Sequence, residues 1–163
     1  MMMSSCGEKQ NPLTQQWDTP FGIAPFSEIK AEHYKPAIMA ALEEHNNEIE
    51  AIINNPETPN FENTIVALDN AGALFNRVYG VFSNETSINS TPELMAIEME
   101  LSPIVSAHFN EISMNEKLFQ RVKVVYDNRD SFGLEADQMR LLTETYKDYE
   151  RSGATLSEEL KGE

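Results

Sequence analysis

Two histidine–glutamate pairs at helical spacing are the side chains of this sequence best suited to bind a metal ion. Glu48 follows His45 by three residues, and Glu111 follows His108 by the same interval. Such pairs share one face of a helix and occur in helical metal sites. Both histidines also fall on apolar stripes, which indicate the buried face of a helix. Because buried histidines are far more frequent than metal ligands, we predict core or boundary positions and assign no metal ligand.

The usual sequence patterns of catalysis are missing. None of the three histidines has another histidine four residues later, so there is no His-Glu-x-x-His motif. The sequence has no Gly-rich phosphate loop and no Gly-x-Ser-x-Gly elbow. Adjacent carboxylates such as Glu43 and Glu44 indicate solvated helix faces. We therefore predict no catalytic, cofactor-binding or metal-binding residue within these 163 positions.

The single cysteine, Cys6, has sequence neighbours of a kind found in bacterial lipoproteins. Met3-Ser4-Ser5-Cys6-Gly7 resembles the end of a lipoprotein signal, where small residues precede the lipid-bearing cysteine. Two interpretations stay open, a lipid attachment site at Cys6 or a lone thiol on a frayed terminus. A periplasmic lipoprotein and a cytoplasmic protein are both compatible with the sequence. Residues 1–10 show no periodicity, which predicts a disordered tether.

Charge and length narrow the functional classes. The chain carries 27 acidic and 12 basic residues, a formal net charge of −15. Such a surface repels nucleic-acid phosphates and anionic lipids, so we expect membrane contact only through a lipid anchor. The acidity indicates a well-solvated surface, with attraction of basic peptides as the alternative. No apolar run approaches the ~20 residues of a membrane-spanning helix.

Hydrophobic periodicity predicts an extended strap followed by helices. Prolines at positions 12, 20 and 25 forbid a long helix between Asn11 and Lys30, while the apolar residues among them predict a strap laid on a helical body. Beyond the strap, apolar stripes at three-to-four spacing predict helices over about Pro36–Asn54 and Asn60–Asn84, from Pro92 onward, after Asn115, and around Met139–Tyr149.

Single residues refine this prediction. Asn60, Thr91 and Asn115 are suitable helix caps. Pro103 is expected to kink or interrupt the third helix, and Gly72 to admit a neighbouring helix. Since strand-like alternation is missing, we predict an all-α fold, an antiparallel helical bundle preceded by the Pro-rich strap.

The sequence ends shortly after the predicted start of a further helix. Gly153 stands where the fifth helix would close, and Thr155 to Glu158 form a capping box that announces another helix. The sequence stops at Glu163, after barely one turn, and a helix that short is unstable in water. We therefore expect residues 11–163 to be one helical domain, truncated at its C-terminal end.

Several segments together carry a family resemblance. They are Asn11-Pro-Leu13, Trp17 to Gly22, Glu32-His-Tyr-x-Pro-Ala37, Pro59-x-Phe-Glu-Asn-Thr-Ile-x-Ala-Leu68, Gly72-x-Leu-Phe-x-Arg-Val78, Leu118 to Val122 and Arg151 to Leu156. The set resembles the start of bacterial peptidyl-dipeptidases in the thimet oligopeptidase and oligopeptidase A family of zinc metallopeptidases. Phe61-Glu-Asn-Thr-Ile65 and Arg77-Val-x-x-Val-Phe82 look more like the dipeptidyl carboxypeptidase branch than oligopeptidase A.

The resemblance implies a helical clamshell around a channel for short peptides, of which this chain would form one wall. It also implies a zinc ion in the full-length enzyme, held by a His-Glu-x-x-His helix in a catalytic half that lies downstream. The expected function is thus an N-terminal channel-wall fragment of a peptidase that releases C-terminal dipeptides. By itself the fragment would be inactive and prone to dimerise through the face that meets the missing half. The alternative is a stand-alone helical module that binds peptides or proteins without catalysis.

Overall fold

The computed structural model describes residues 10–152, and the regular secondary structure within this range is helical, with no strand. The predicted all-α bundle is confirmed. Its helices are α1 (Ala31–Ile53), α2 (Ala67–Asn70), α3 (Ala73–Ile88), α4 (Pro92–Ser113), α5 (Glu116–Asp127) and α6 (Ala136–Arg151). A π-helical turn (Phe61–Val66) precedes α2, and 3-10 turns occur at Pro20–Gly22 and Arg129–Ser131. None of the described helices is long and apolar enough to cross a membrane. Cys6, Gly153 and the capping box of Thr155 and Glu158 lie outside the described residues.

The strap before α1 packs against the helices through some of its apolar residues, while others are exposed, namely Phe21, Ile23 and Phe26. Leu13 is completely buried in a cluster with α1 and α3. The Trp17 indole N–H donates to the carbonyl of Pro12 over 2.9 Å. The Arg77 guanidinium of α3 lies 4.8 Å from the centre of the Trp17 ring, a cation–π contact that holds the strap to the bundle.

Helix α1 begins at Ala31, so the predicted start at Pro36 was wrong. The backbone N–H of Lys30 donates to Nδ1 of His33 over 3.1 Å, which caps the earlier start. Pro36 therefore lies in the second turn, where its missing N–H removes a single helical hydrogen bond. The remaining residues of this long helix outweigh that loss.

The predicted helix from Asn60 to Asn84 is broken in two. Its cap is confirmed, since the Asn60 side chain accepts from the Asn63 backbone N–H over 2.8 Å. The break follows α2, where Ala71 is extended and Gly72 adopts a left-handed φ of 75°. The apolar stripe of the sequence continues across this break, and for that reason periodicity alone did not reveal it.

A kink or an interruption was predicted at Pro103. Helix α4 runs through this residue, so the interruption is wrong. The proline ring is exposed, and the carbonyl that loses its N–H partner belongs to Met99, which is also exposed. Water can satisfy that carbonyl, so the proline is tolerated. The caps of α4 and α5 are confirmed, with Thr91 Oγ1 accepting from the Leu94 N–H and Asn115 Oδ1 from the Leu118 N–H.

Two hydrophobic clusters hold the bundle together, and α1 contributes to both. The first cluster joins the strap, the first half of α1, α3 and α4, through Leu13, Ala24, Tyr34, Ala37, Ile38, Ala41, Leu42, Phe75, Val78, Val81, Phe82, Leu94 and Leu101. The second joins the end of α1, the π-helical turn, α5 and α6, through Ile49, Ile52, Phe61, Ile65, Leu118, Phe119, Val122, Val125, Leu142 and Tyr149. His45 lies on α1 between these two sets.

Candidate functional site

The two histidines that the sequence marked as metal-ligand candidates meet inside the bundle. Nε2 of His108 lies 2.9 Å from Nδ1 of His45, and the ring centres are 4.9 Å apart. His45 is 6% exposed and His108 7%, as expected for core positions. We call these two residues the histidine pair. It joins α1 to α4.

A hydrogen bond between the rings requires that one nitrogen donates and the other accepts, so it forms when at least one ring is neutral. Burial lowers the pKa of both histidines, and the nearby His108 lowers that of His45 further. The carboxylates of Glu48 and Glu111 act in the opposite direction, raising the pKa of His45 and His108 respectively. Burial is the larger influence on each ring, and we conclude that the pair is neutral at pH 7.

Aromatic rings enclose the pair on one side. The Phe109 ring stands edge-on to His108 with 5.1 Å between centres and lies 5.8 Å from His45. Phe75 of α3 packs edge-on against Phe109 at 5.2 Å. These contacts fix the orientation of the imidazoles and keep water from most of their surface.

A glycine turn closes the other side. A Cβ atom at Gly72 would lie 3.1 Å from Nδ1 of His45, so the His45 ring rests directly on the glycine. Glu48 Oε2 accepts from the Gly72 backbone N–H over 2.7 Å. Gly72 does permit a close approach, as the sequence predicted, but a side chain approaches there and the helix itself is broken.

A shallow groove between α1 and α4 leads to His108. Its walls include Met39 and Glu43 from α1, and Ile104, Ala107 and Glu111 from α4. The groove is therefore apolar at its centre and acidic at its rim. Since α4 packs mainly against α1, the histidine pair forms part of the main contact of that helix.

The sequence is similar to the sequences of known peptidases. No family model matches the chain. Dipeptidyl carboxypeptidase of Salmonella typhimurium is 38% identical over 151 residues, which are 93% of this chain and 22% of that protein. The Escherichia coli dipeptidyl carboxypeptidase is 34% identical over 148 residues, 91% of this chain and 22% of its own length. Oligopeptidase A of Salmonella typhimurium is 27% identical over 149 residues, 91% and 21% of the two chains.

This chain is a homologue of these peptidases. The predicted resemblance to the N-terminal region of the family is confirmed. Identity is higher to the two dipeptidyl carboxypeptidases than to oligopeptidase A, as the sequence signatures indicated. The homologue spans about a fifth of the length of the relatives it matches.

The described residues of this peptidase homologue do not fit a zinc ion. Within residues 10–152, no group of three or more His, Cys, Asp or Glu side chains could hold a metal. The facing nitrogens of the histidine pair bond to each other, and Glu48 bonds to the Gly72 backbone. The histidine pair is a buried hydrogen bond between α1 and α4.

Sequence reasoning found both histidines but missed their contact. A signal was present, because a buried imidazole needs a hydrogen-bond partner and each of two apolar stripes carried one. The two positions are 63 residues apart, and only the packing of α4 on α1 brings them together.

Proposed function

We propose that this chain forms the N-terminal helical wall of the substrate channel in a zinc peptidase that releases C-terminal dipeptides from short peptides. The observation that carries the proposal is the 38% identity to a dipeptidyl carboxypeptidase over 93% of this chain. The zinc and the catalytic groups would lie in the part of the enzyme that this chain does not span. The role of residues 10–152 would then be to shape the channel and to limit the peptides that enter.

Structural features of the bundle suit a rigid wall. Arg121 of α5 donates to the carbonyl of Asn55 over 2.9 Å and to Oδ1 of Asn63 over 3.3 Å, which ties the loop after α1 to the π-helical turn. The net charge of −15 would draw peptides with basic residues or a free amino terminus toward such a wall.

The test begins with the gene, sequenced on both sides of this reading frame. If the frame continues into a His-Glu-x-x-His helix, the full-length protein is assayed for release of dipeptides from an amino-blocked tetrapeptide. We expect release that a zinc chelator abolishes, and none from this chain by itself. Cleavage by the pure 163-residue chain would overturn the assignment of the catalytic groups to the missing region.

A stop codon directly after Glu163 would overturn the wall proposal for this product. The stand-alone binding module would then be the hypothesis to pursue, and its test is retention of basic peptides by the immobilised chain. Peptides of the same length rich in glutamate are the control, because the acidic surface should repel them.

A further inference from the structure

We propose that the histidine pair is a pH-sensitive latch that holds the C-terminal half of α4 on α1 while the rings are neutral and releases it when both are protonated. The proposal concerns the stability of this bundle and does not depend on the peptidase function. Three observations carry it: the sparse anchoring of α4, the short contact between the rings, and the charges around them.

Helix α4 has few buried residues for its length, and we call these residues its anchors. Of its 22 residues, only Leu94, Leu101 and His108 are buried. They are spaced by seven, so they form one narrow stripe with an anchor every two turns. The first two anchors are apolar and insensitive to pH. The third, the one buried residue of the C-terminal half, is a histidine. The partly buried Val105 and Ile112 of that half also pack against the hydrophobic clusters.

The ring contact tolerates one added proton but not two. At 2.9 Å, a single N–H fits between Nε2 of His108 and Nδ1 of His45. When both rings are protonated, both facing nitrogens carry hydrogen, the bond is lost and two positive charges repel each other at short range. The aromatic packing around the rings prevents water from screening that repulsion fully.

The charged groups around the pair are few. Helix α1 supplies Glu48, already bonded to Gly72, and Glu43 at the rim of the groove; α4 supplies Glu111. The α2–α3 turn presents a glycine, and α3 presents the ring of Phe75, neither of which titrates. The carboxylates favour protonated rings, but burial outweighs them at both histidines.

The direction of the pH effect follows from these charges. The pKa of each histidine is lowered in the closed bundle from an ordinary value of about 6.5. Above that pH neither the closed nor the open state binds protons at these rings, and the hydrogen bond of the pair contributes fully to the stability of the closed state. Below it the open state binds more protons, so opening becomes more favourable as the pH falls toward the lowered values. Each extra proton increases the opening constant by up to about tenfold per pH unit.

The test is hydrogen exchange of the backbone amides in α4, measured on this chain between pH 8 and pH 5 and corrected for the intrinsic exchange rate. We expect residues 104–113 to lose protection relative to α5 as the pH falls below about 6.5. In His108→Gln this difference should depend less on pH, because His45 is then the only histidine of the pair that can be protonated. The matched control is His33→Gln, which removes the third histidine, at the start of α1 and outside the pair, and should leave the pH dependence of α4 unchanged.

A second variant keeps the test decisive if His108→Gln does not fold. Glu111→Gln removes a carboxylate that favours the protonated rings, so it should increase the opening at pH 5 and leave pH 8 unchanged. Glu98→Gln alters another exposed position of α4 and should not change the opening at either pH. Protection of α4 that stays constant from pH 8 to pH 5 would overturn the latch, as would an equal acid-induced loss in His108→Gln.

Discussion

Helices α4 and α5 differ in how many of their residues are buried, and the longer helix buries fewer. Helix α4 has 22 residues and buries three of them, whereas α5 has 12 residues and buries four, Leu118, Phe119, Val122 and Val125. Helix α5 contacts α6, the π-helical turn and α1, while α4 packs mainly against α1. Of these two helices, the shorter one has more neighbouring elements and buries more residues.

This difference predicts where the bundle opens first. Regions with few buried apolar contacts unfold locally at a lower cost than the global transition. Helix α4 is such a region, and one of its three anchors is polar. Helix α5 lies in the centre of the second cluster and should stay closed until the whole domain unfolds.

The largest expected effects come from equivalent truncations in the two helices. Leu118→Ala in α5 removes a side chain that is fully buried, and Leu101→Ala in α4 one that is 1% exposed. We expect a loss of about 4–5 kcal/mol for Leu118→Ala and about 2–3 kcal/mol for Leu101→Ala, because α4 can move toward α1 and partly fill the cavity. Urea unfolding followed by circular dichroism measures both.

The control for this pair is Met99→Ala on α4, where the side chain is 77% exposed. It should change the free energy of unfolding by no more than about 0.5 kcal/mol. A loss from Leu101→Ala equal to that from Leu118→Ala would show that α4 is packed as firmly as α5, and the comparison between the two helices would fail.

A smaller effect is expected at the turn that supports His45. Gly72→Ala places a methyl group 3.1 Å from the His45 ring at a φ of 75°, so it combines backbone strain with a steric clash. Gly133→Ala is the matched control, since Gly133 has a φ of 62° and no atom within 4 Å of the added carbon. We expect about 1 kcal/mol for Gly133→Ala and about 2–3 kcal/mol for Gly72→Ala.

The difference between the two glycine variants isolates the contact with His45. In thermal unfolding at pH 8, Gly72→Ala should have the lower midpoint of the two. If the two midpoints agree, the His45 ring can move aside without a loss of stability. Gly72 would then be needed only for its backbone conformation.

Local signals in the sequence predicted local structure. The side chains of Asn60, Thr91 and Asn115 cap their helices as expected, because a cap involves residues only three positions apart. The apolar stripes likewise predicted the fold class. These features depend on near neighbours along the chain, so a single sequence is sufficient to find them.

The errors occurred where packing decides between local options. Pro36 and Pro103 were expected to begin or interrupt a helix, yet both lie inside helices whose other contacts outweigh the missing hydrogen bond. The break at Gly72 and the contact of His45 with His108 depend on elements far apart in sequence. Hydrophobic periodicity describes one helix at a time, so it identified both histidines but not the contact between them.

The smallest effect is expected from an exposed ion pair that joins α4 to α1. Lys35 of α1 and Glu100 of α4 form a salt bridge, with both side chains about half exposed. We expect Lys35→Gln to cost at most about 0.5 kcal/mol, because water screens exposed charges and two long side chains must be ordered. A double-mutant cycle with Glu100→Gln, measured by urea unfolding at low and high salt, gives the coupling.

The control is Lys123→Gln, which breaks a pair with Asp127 inside α5. That pair supports one helix and joins no other element, so its loss should leave the exchange of α4 amides unchanged. Lys35→Gln should increase that exchange slightly at low salt and not at high salt. A coupling above about 1 kcal/mol between Lys35 and Glu100 would mean that charge, in addition to the three buried anchors, holds α4 in place.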